Sequence, residues 1–291
     1  MKCTVKQQDR ITGNRIKNSC SNFEFTPNGI NAVLPPKSKY PIYFCKTDYI
    51  LSFFNFCRAN PDKELVLITH NSDINISPDL YRAAPLNIKA WFGQNIDTIG
   101  PNLHSLPIGS TGATWIGDLE GADGADLHHF ALMKEDGAPA AYKNLLYMNF
   151  GIWTNPPHRK PIYHFLKDKP WVTTSVCDIA PSAYSSSEGF VTVEEYYNNL
   201  YNHKFTISPL GNGLDCGRVW QAIYVGCIPV VPFHLNIESY RDLPILIYND
   251  LNELTEEYLE EQYVGLKNSK CLEKATLSYW VEVINQIASE D

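Results

Sequence analysis

The sequence predicts an α/β protein built from two βα units facing one another. Three observations carry this. Short apolar runs alternate with helix-length amphipathic stretches from about residue 41 onward. Three consecutive runs each open into a polar loop at the same end. Finally, Lys204 to Pro232 reads as strand, glycine turn, helix, strand. At 291 residues and 44% hydrophobic, the chain can fill one large or two medium-sized cores, and two are expected.

Residues 1 to 40 carry Lys2, Lys6, Arg10, Arg15 and Lys17, and are broken by Pro27, Pro35 and Pro36. An extended arm packed on the first domain is expected there. Ile42 to Cys45 is a buried strand, and Thr47 or Asp48 can cap a helix through Ile50, Leu51, Phe54 and Phe56. The strand Leu65 to Thr69 opens into His70-Asn-Ser-Asp73, Ile88 to Phe92 into Gly93 to Asp97, and Leu103 to Ile108 into Gly109 to Gly112. In open α/β sheets that carboxyl edge is where ligands bind. The carboxylates between Asp118 and Asp126 lack the oxygen spacing of a calcium loop, so a solvated loop is expected.

Leu145 to Phe150 reads as a further strand, and Pro156-Pro157 reads as a linker, which puts the domain boundary near 150. Trp171 to Thr174 is the next strand, followed by a Ser-rich stretch from Pro181 to Gly189. Thr192-x-x-Glu195 is a capping box opening a helix over Val193 to Tyr201. A strand over Leu243 to Tyr248, a helix over Glu256 to Gln262 and an amphipathic helix over Leu272 to Ile287 complete the chain. The expected division is 1–150, 151–270, and a helix in 271–291 returning to the first domain.

Within the glycine unit, Phe205 to Ser208 is the strand, and Gly211 and Gly213 permit a tight turn with unusual dihedrals. Asp215 can cap a helix that buries Val219, Trp220, Ile223 and Tyr224. Two better-known phosphate loops do not match. Cys216 stands where a dinucleotide fingerprint has its third glycine, and Arg218-Val219 where a mononucleotide loop has Lys-Ser/Thr. Backbone amides at a helix N-terminus together with Arg218 suit a diphosphate.

The formal net charge of −8 and the lack of a long basic run argue against nucleic acid as the main partner, although Arg159, Lys204 and Arg218 can make a local positive pocket. Eight cysteines show neither Cys-x-x-Cys nor zinc spacing and read as reduced thiols. No apolar run approaches the roughly 20 residues of a membrane helix. A soluble, cytoplasmic protein is expected.

Ser208-Pro-x-Gly-Asn-Gly-x-Asp215, Arg218-x-Trp220 and Gly226-Cys-Ile-Pro-Val-Val231 together resemble exostosin-like glycosyltransferases, in particular the compact single-module members. The resemblance extends back through Leu67 to Asp73, Trp91 to Asp97, Leu106 to Gly109 and Asn149 to Asn155 with Arg159. It continues forward into Leu243 to Ile247, Leu254 to Tyr258 and Ser278 to Trp280. Gly217 and Gln221 depart from it, and Gln221 removes a charge-assisted hydrogen bond to donor hydroxyls.

The resemblance implies a GT-B arrangement and inverting transfer of a sugar, without metal or other cofactor, from a uridine-diphosphate donor to a glycan hydroxyl. Xylose, galactose and glucuronic acid are among the family's sugars. It places Gly211 to Gly213 and Arg218 on the diphosphate, with Arg159 converging across the cleft. Ser208 and Asn212 add hydrogen bonds, and Gln221 faces the donor hydroxyls. Asp215 is either a donor ligand or the helix cap. The general base is expected on the first domain: Asp73, then Asp97, then His70. A nucleotide-sugar-binding or scaffold protein that has lost catalysis is the alternative. A sulfo- or phosphotransferase would need an adenosine-phosphate or P-loop pattern.

Overall fold

Two sheets, one mostly and one wholly parallel, each with central strands buried on both faces, organise the chain in the computed structural model. It describes residues 5–110, 142, 144–176, 191–269 and 271–290. The acidic stretch 118–129, the Ser-rich stretch 181–189, Cys3 and Cys177 lie outside the described residues.

The first unit runs α1 (Gly13–Cys20), β1 (Phe23–Thr26), β2 (Gly29–Ala32), β3 (Ile42–Lys46), α2 (Ile50–Ala59), β4 (Leu65–His70), α3 (Pro78–Arg82), β5 (Ile88–Gly93) and β6 (Leu103–Ser105). Its strand order is β2-β1-β3-β4-β5-β6, antiparallel between β1 and β2 and parallel elsewhere. The N-terminal segment is therefore not an extended arm. Thr12 caps α1 by accepting from the Arg15 amide at 3.2 Å, and β1 pairs in parallel with β3. Pro27 sits in the hairpin tip, where a missing N–H costs no ladder bond. The helix after β3 begins at Ile50 without a side-chain cap, leaving Asp48 available elsewhere.

The second unit runs β7 (Asn144–Met148), α4 (Pro156–Leu166), β8 (Val172–Thr174), α5 (Val193–Asn202), β9 (His203–Ile207), α6 (Gly217–Val225), β10 (Ile228–Pro232), α7 (Leu235–Glu238), β11 (Leu246–Tyr248), α8 (Glu256–Leu266) and α9 (Leu277–Ser289). All five strands are parallel, in the order β11-β10-β9-β7-β8. The strand over 144–148 thus belongs to the second sheet, so the change of sheet falls before residue 144 rather than near 150. Pro156 and Pro157 open α4 instead of forming a linker, because a helix's first turn needs no amide there. Thr192 and Glu195 form the reciprocal capping box that opens α5.

The two sheets share one core. Ile42, Val66, Ala90 and Phe92 from the first pack with Val219, Trp220, Tyr224, Val231 and Tyr240 from the second and with Trp280, Ile284 and Ala288 of α9. Polar ties cross the same boundary. The Tyr224 hydroxyl accepts from the Ile11 amide at 3.0 Å, and the Asn236 Oδ1 accepts from the Ile96 amide and the Ser105 hydroxyl, both at 3.0 Å. The Tyr40 amide donates to the Ala288 carbonyl at 2.9 Å, which sets the end of α9 against the first unit.

Strand order also locates the crevice. From β7 the chain moves outward to β8, then returns to the other side of β7 to form β9. The loops leaving β7 and β9 at their carboxyl ends therefore diverge, and a doubly wound sheet opens its ligand crevice at that point.

Candidate active site

The glycine turn leaves β9 at the reversal point. Gly211 and Gly213 do not adopt left-handed dihedrals there; among the described glycines the positive φ values fall at Gly29, Gly109 and Gly226. Gly213 is small for another reason, which is close approach. A Cβ on Gly213 would lie 2.5 Å from the Asn95 amide nitrogen, and one on Gly211 would face Arg159 Nη2 at 3.6 Å. The turn is pressed on the first sheet's rim at Gly213 and lies in ordinary contact with an arginine at Gly211.

Arg159 lies on α4, beyond β7, and approaches the turn from within the second unit rather than from across the cleft. Its Nε donates to the Leu210 carbonyl at 2.9 Å and its Nη1 to the Gly151 carbonyl at 2.6 Å, so it clasps the β7 and β9 loops together. Asn155 adds a bond from its amide to the Gly211 carbonyl at 2.7 Å. Burial, and then the adjacent Arg218 charge, bring the Arg159 guanidinium down to about 10.

Arg218 stands on the first turn of α6. Its Nη1 reaches only the Cys216 sulfur, at 3.9 Å, and its Nε is buried without a partner. The Ser208 hydroxyl, at the carboxyl end of β9, is likewise buried and unpartnered. Among the described residues neither arginine forms an ion pair with a carboxylate. Arg159 is buried and Arg218 half-buried with its Nε enclosed, and two adjacent cations lacking a counter-charge are costly unless an anion completes them. The N-terminal end of α6 adds about half a positive charge to the same place. Lys204 does not contribute: it pairs with Glu260 at 2.6 Å, at the opposite end of β9.

Asp215 is not the cap of α6. That position is held by Cys216, which makes no side-chain capping bond. The Asp215 carboxylate is buried and accepts three N–H groups: from Ile108 at 2.7 Å, Cys216 at 2.8 Å and the Trp220 indole at 2.9 Å. Its own amide donates to Asn95 Oδ1 at 2.8 Å. Asp215 therefore ties the turn to the first sheet. Burial raises its pKa to about 6 against the opposing pull of those hydrogen bonds. Gln221 Oε1 accepts from the Tyr196 hydroxyl at 2.9 Å, which orients the side chain and leaves its NH₂ to meet a ligand.

The first sheet's rim supplies the facing wall, around a cavity of about 560 Å³ whose lining includes Thr12, Asn14, Lys46, Asp48, His70 and Asp73. Asp73 is exposed, and its Oδ2 accepts from the Asn212 amide at 3.2 Å. The two expected halves of the site therefore meet through residues 139 apart in sequence. His70 is buried with both ring nitrogens engaged: Nε2 against the Pro107 carbonyl at 2.9 Å, and Nδ1 accepting from the Asn71 amide at 2.8 Å. Burial lowers its pKa and keeps it neutral, so no ring nitrogen is left to take a substrate proton. Asp97 is exposed, with its amide on the Ile76 carbonyl, and is not among the residues lining the cavity. In that loop Asn95, held at φ +59, is the residue that reaches the glycine turn. Asn95 lies within the Trp91 to Asp97 stretch but carries no charge, and the contact it makes across the two sheets is what distinguishes it from its neighbours.

Among the described residues no helix is long and apolar enough to cross a membrane. No protein-family profile and no curated protein matches the chain. Among solved structures, the chain is similar to Anabaena HepE in complex with UDP-glucose, at 9% sequence identity over 86% of this chain and 74% of that one, with a TM-score of 0.35. A likeness of that size assigns neither a family nor a function.

Proposed function

We propose that the chain is an inverting glycosyltransferase of two facing Rossmann-like domains, which moves a sugar from a nucleoside-diphosphate donor to a hydroxyl of a glycan acceptor. The observation that carries this reading is the arginine pair at the reversal point: two guanidiniums without a carboxylate, one with a buried unpartnered Nε, beside an unpartnered serine hydroxyl and a helix N-terminus. A diphosphate completes such a site. The motif resemblance points to the same chemistry.

In the reaction, Asp73 accepts the proton of the acceptor hydroxyl as its oxygen attacks the anomeric carbon. The bond from that carbon to the diphosphate oxygen breaks on the opposite face, and Arg218, Arg159 Nη2 and the α6 amides receive the growing negative charge. The protein thereby performs the neutralisation that a divalent ion performs in metal-dependent transferases. Asn212 holds Asp73 beside the donor turn.

The experiment is a hydrolysis and transfer screen over a panel of sugar nucleotides, with and without a divalent-metal chelator. Turnover of at least one uridine-diphosphate sugar, unaffected by chelation, is expected. Donor affinity without turnover would favour a nucleotide-sugar-binding protein, and loss of turnover on chelation would remove the metal-independent mechanism.

A further inference from the structure

We propose that the cavity at the rim of the first sheet takes an uncharged, polyhydroxylated group, a sugar ring bearing neither phosphate nor carboxylate, and that the Lys46–Asp48 pair sets this preference. The proposal rests on the glycosyl-transfer reading only for what then happens to the bound hydroxyl.

Size is the first argument. About 560 Å³ lies within the range of small-molecule sites. The lining is the second. Thr12, Asn14, Ser72 and Ser110 present hydroxyls and an amide, while Ile74 and Ile108 are the apolar contributors and no Phe, Tyr or Trp takes part. That surface suits many hydrogen bonds and gives an acyl chain or a flat base nothing to lie on. Thr12 Oγ1 accepts from the Arg15 amide and so keeps its O–H to donate, whereas the Ser72 hydroxyl, which accepts from the Ile74 amide at 3.2 Å and donates to Asp48, has only a lone pair left to offer.

Charge is the third argument and the deciding one. Lys46 is the cation of the cavity, and its Nζ lies 3.4 Å from Asp48 Oδ2. Slight burial opposes ionisation of Asp48, but hydrogen bonds from Ser72 and its own amide, together with Lys46, hold its pKa below the usual carboxylate range. The half-exposed ammonium is thus offset by an adjacent carboxylate. His70 is neutral, which leaves Asp73 as the uncompensated charge among the lining residues. The positive end of α1 also reaches the cavity at Gly13 and Asn14 and would favour an anion. It amounts to about half a charge, already partly quenched by the Thr12 cap, against a full negative charge on Asp73. Repulsion wins, so an acceptor carrying a carboxylate or phosphate is rejected by an unfavourable contact rather than by lack of room.

The test is ligand-observed NMR on the full chain with saturating UDP, using methyl glycosides of glucose, galactose and xylose, and the uronates and 6-phosphates of the first two. At least one neutral glycoside binds, its matched anions bind at least tenfold more weakly, and Asp48→Asn narrows that gap at least fivefold by freeing Lys46. Asn14→Trp, which fills the cavity from a surface helix position, abolishes binding of the neutral glycoside. Anions binding as well as the neutral sugars, silence from every neutral glycoside, an unchanged gap in Asp48→Asn, or binding that survives Asn14→Trp would each overturn the proposal. UDP titrated by calorimetry into the same preparation reports the diphosphate site separately. Absent UDP binding with intact sugar discrimination would sink the transferase reading alone.

Discussion

A guanidinium removed from water loses several kcal/mol of hydration that a partner must return. Buried Arg159 recovers it from two backbone carbonyls, whereas Arg218, half-buried with its Nε enclosed, keeps part of its hydration and bonds only the Cys216 thiol. The two residues therefore differ in what their loss does. Arg159→Ala opens the clasp between the β7 and β9 loops and lowers stability as well as donor affinity, whereas Arg218→Ala acts on the ligand. Asp73→Asn removes the proton acceptor and keeps the shape. It should lower turnover at least a hundredfold, in line with the roughly 10² to 10⁴ a positioned base contributes, with donor affinity unchanged. Near-normal turnover in that variant would take Asp73 out of the role.

Asp215 makes a pH prediction. Its pKa is raised to about 6 from an ordinary 3.8, so the folded chain binds this proton more tightly than the unfolded chain does. The associated stability is complete below about pH 4 and is lost as the pH climbs to about 6, an effect of about 3 kcal/mol. Asp215→Asn has no such proton, while the remaining carboxylates titrate alike in both proteins. Urea denaturation should therefore show the wild type gaining on the variant by about that amount between pH 7 and pH 4. A difference that stays constant with pH would contradict the buried carboxylate.

At the scale of elements, the glycine unit was largely legible in the sequence. Its strand, helix and closing strand lie within two residues of their predicted bounds, and Gly226 ends α6 at φ 77 as a left-handed cap. The reason for Gly213 was not legible, because close approach to Asn95 is a property of two separate segments. Hydrophobic periodicity likewise could not say which sheet the strand at 144–148 joins, since apolar runs look the same whichever neighbour they pair with. Nor could it show the hairpin near the N-terminus, where prolines read as interruption. Gly109 shows how tightly these segments are fitted. It lies at φ 71, and a Cβ there would fall on the Ile11 carbonyl. Gly109→Ala combines left-handed strain with a backbone clash and should cost at least about 1 kcal/mol in chemical denaturation. A neutral effect would mean that the 107–110 loop and the residue 11 backbone move apart without penalty.

For the whole molecule, the shared core matters more than the division into two units. Trp220 and Tyr240 pack in the same cluster as Phe92 and Ile284, and Asp215, Asn236 and Tyr224 each bond across the boundary. Neither sheet can lose its side of that core without exposing the other's. Thermal unfolding followed by far-ultraviolet circular dichroism and by tryptophan fluorescence should give one coincident transition, and two separated midpoints would refute the shared core. The sequence placed the base on the first unit and the cations on the second. It could not show that Asn212 and Asp73 touch, because that contact joins residues from two separately patterned segments.

The central claim is that the unpaired arginines at the reversal point of the second sheet hold a diphosphate. Calorimetric titration of UDP into the wild type and Arg218→Ala tests it most directly. The wild type should bind UDP, with affinity falling at higher salt as expected for a dianion held by guanidiniums. Arg218→Ala should bind at least a hundredfold more weakly while unfolding at the wild-type denaturant midpoint. Equal UDP affinity in the two proteins would contradict the assignment.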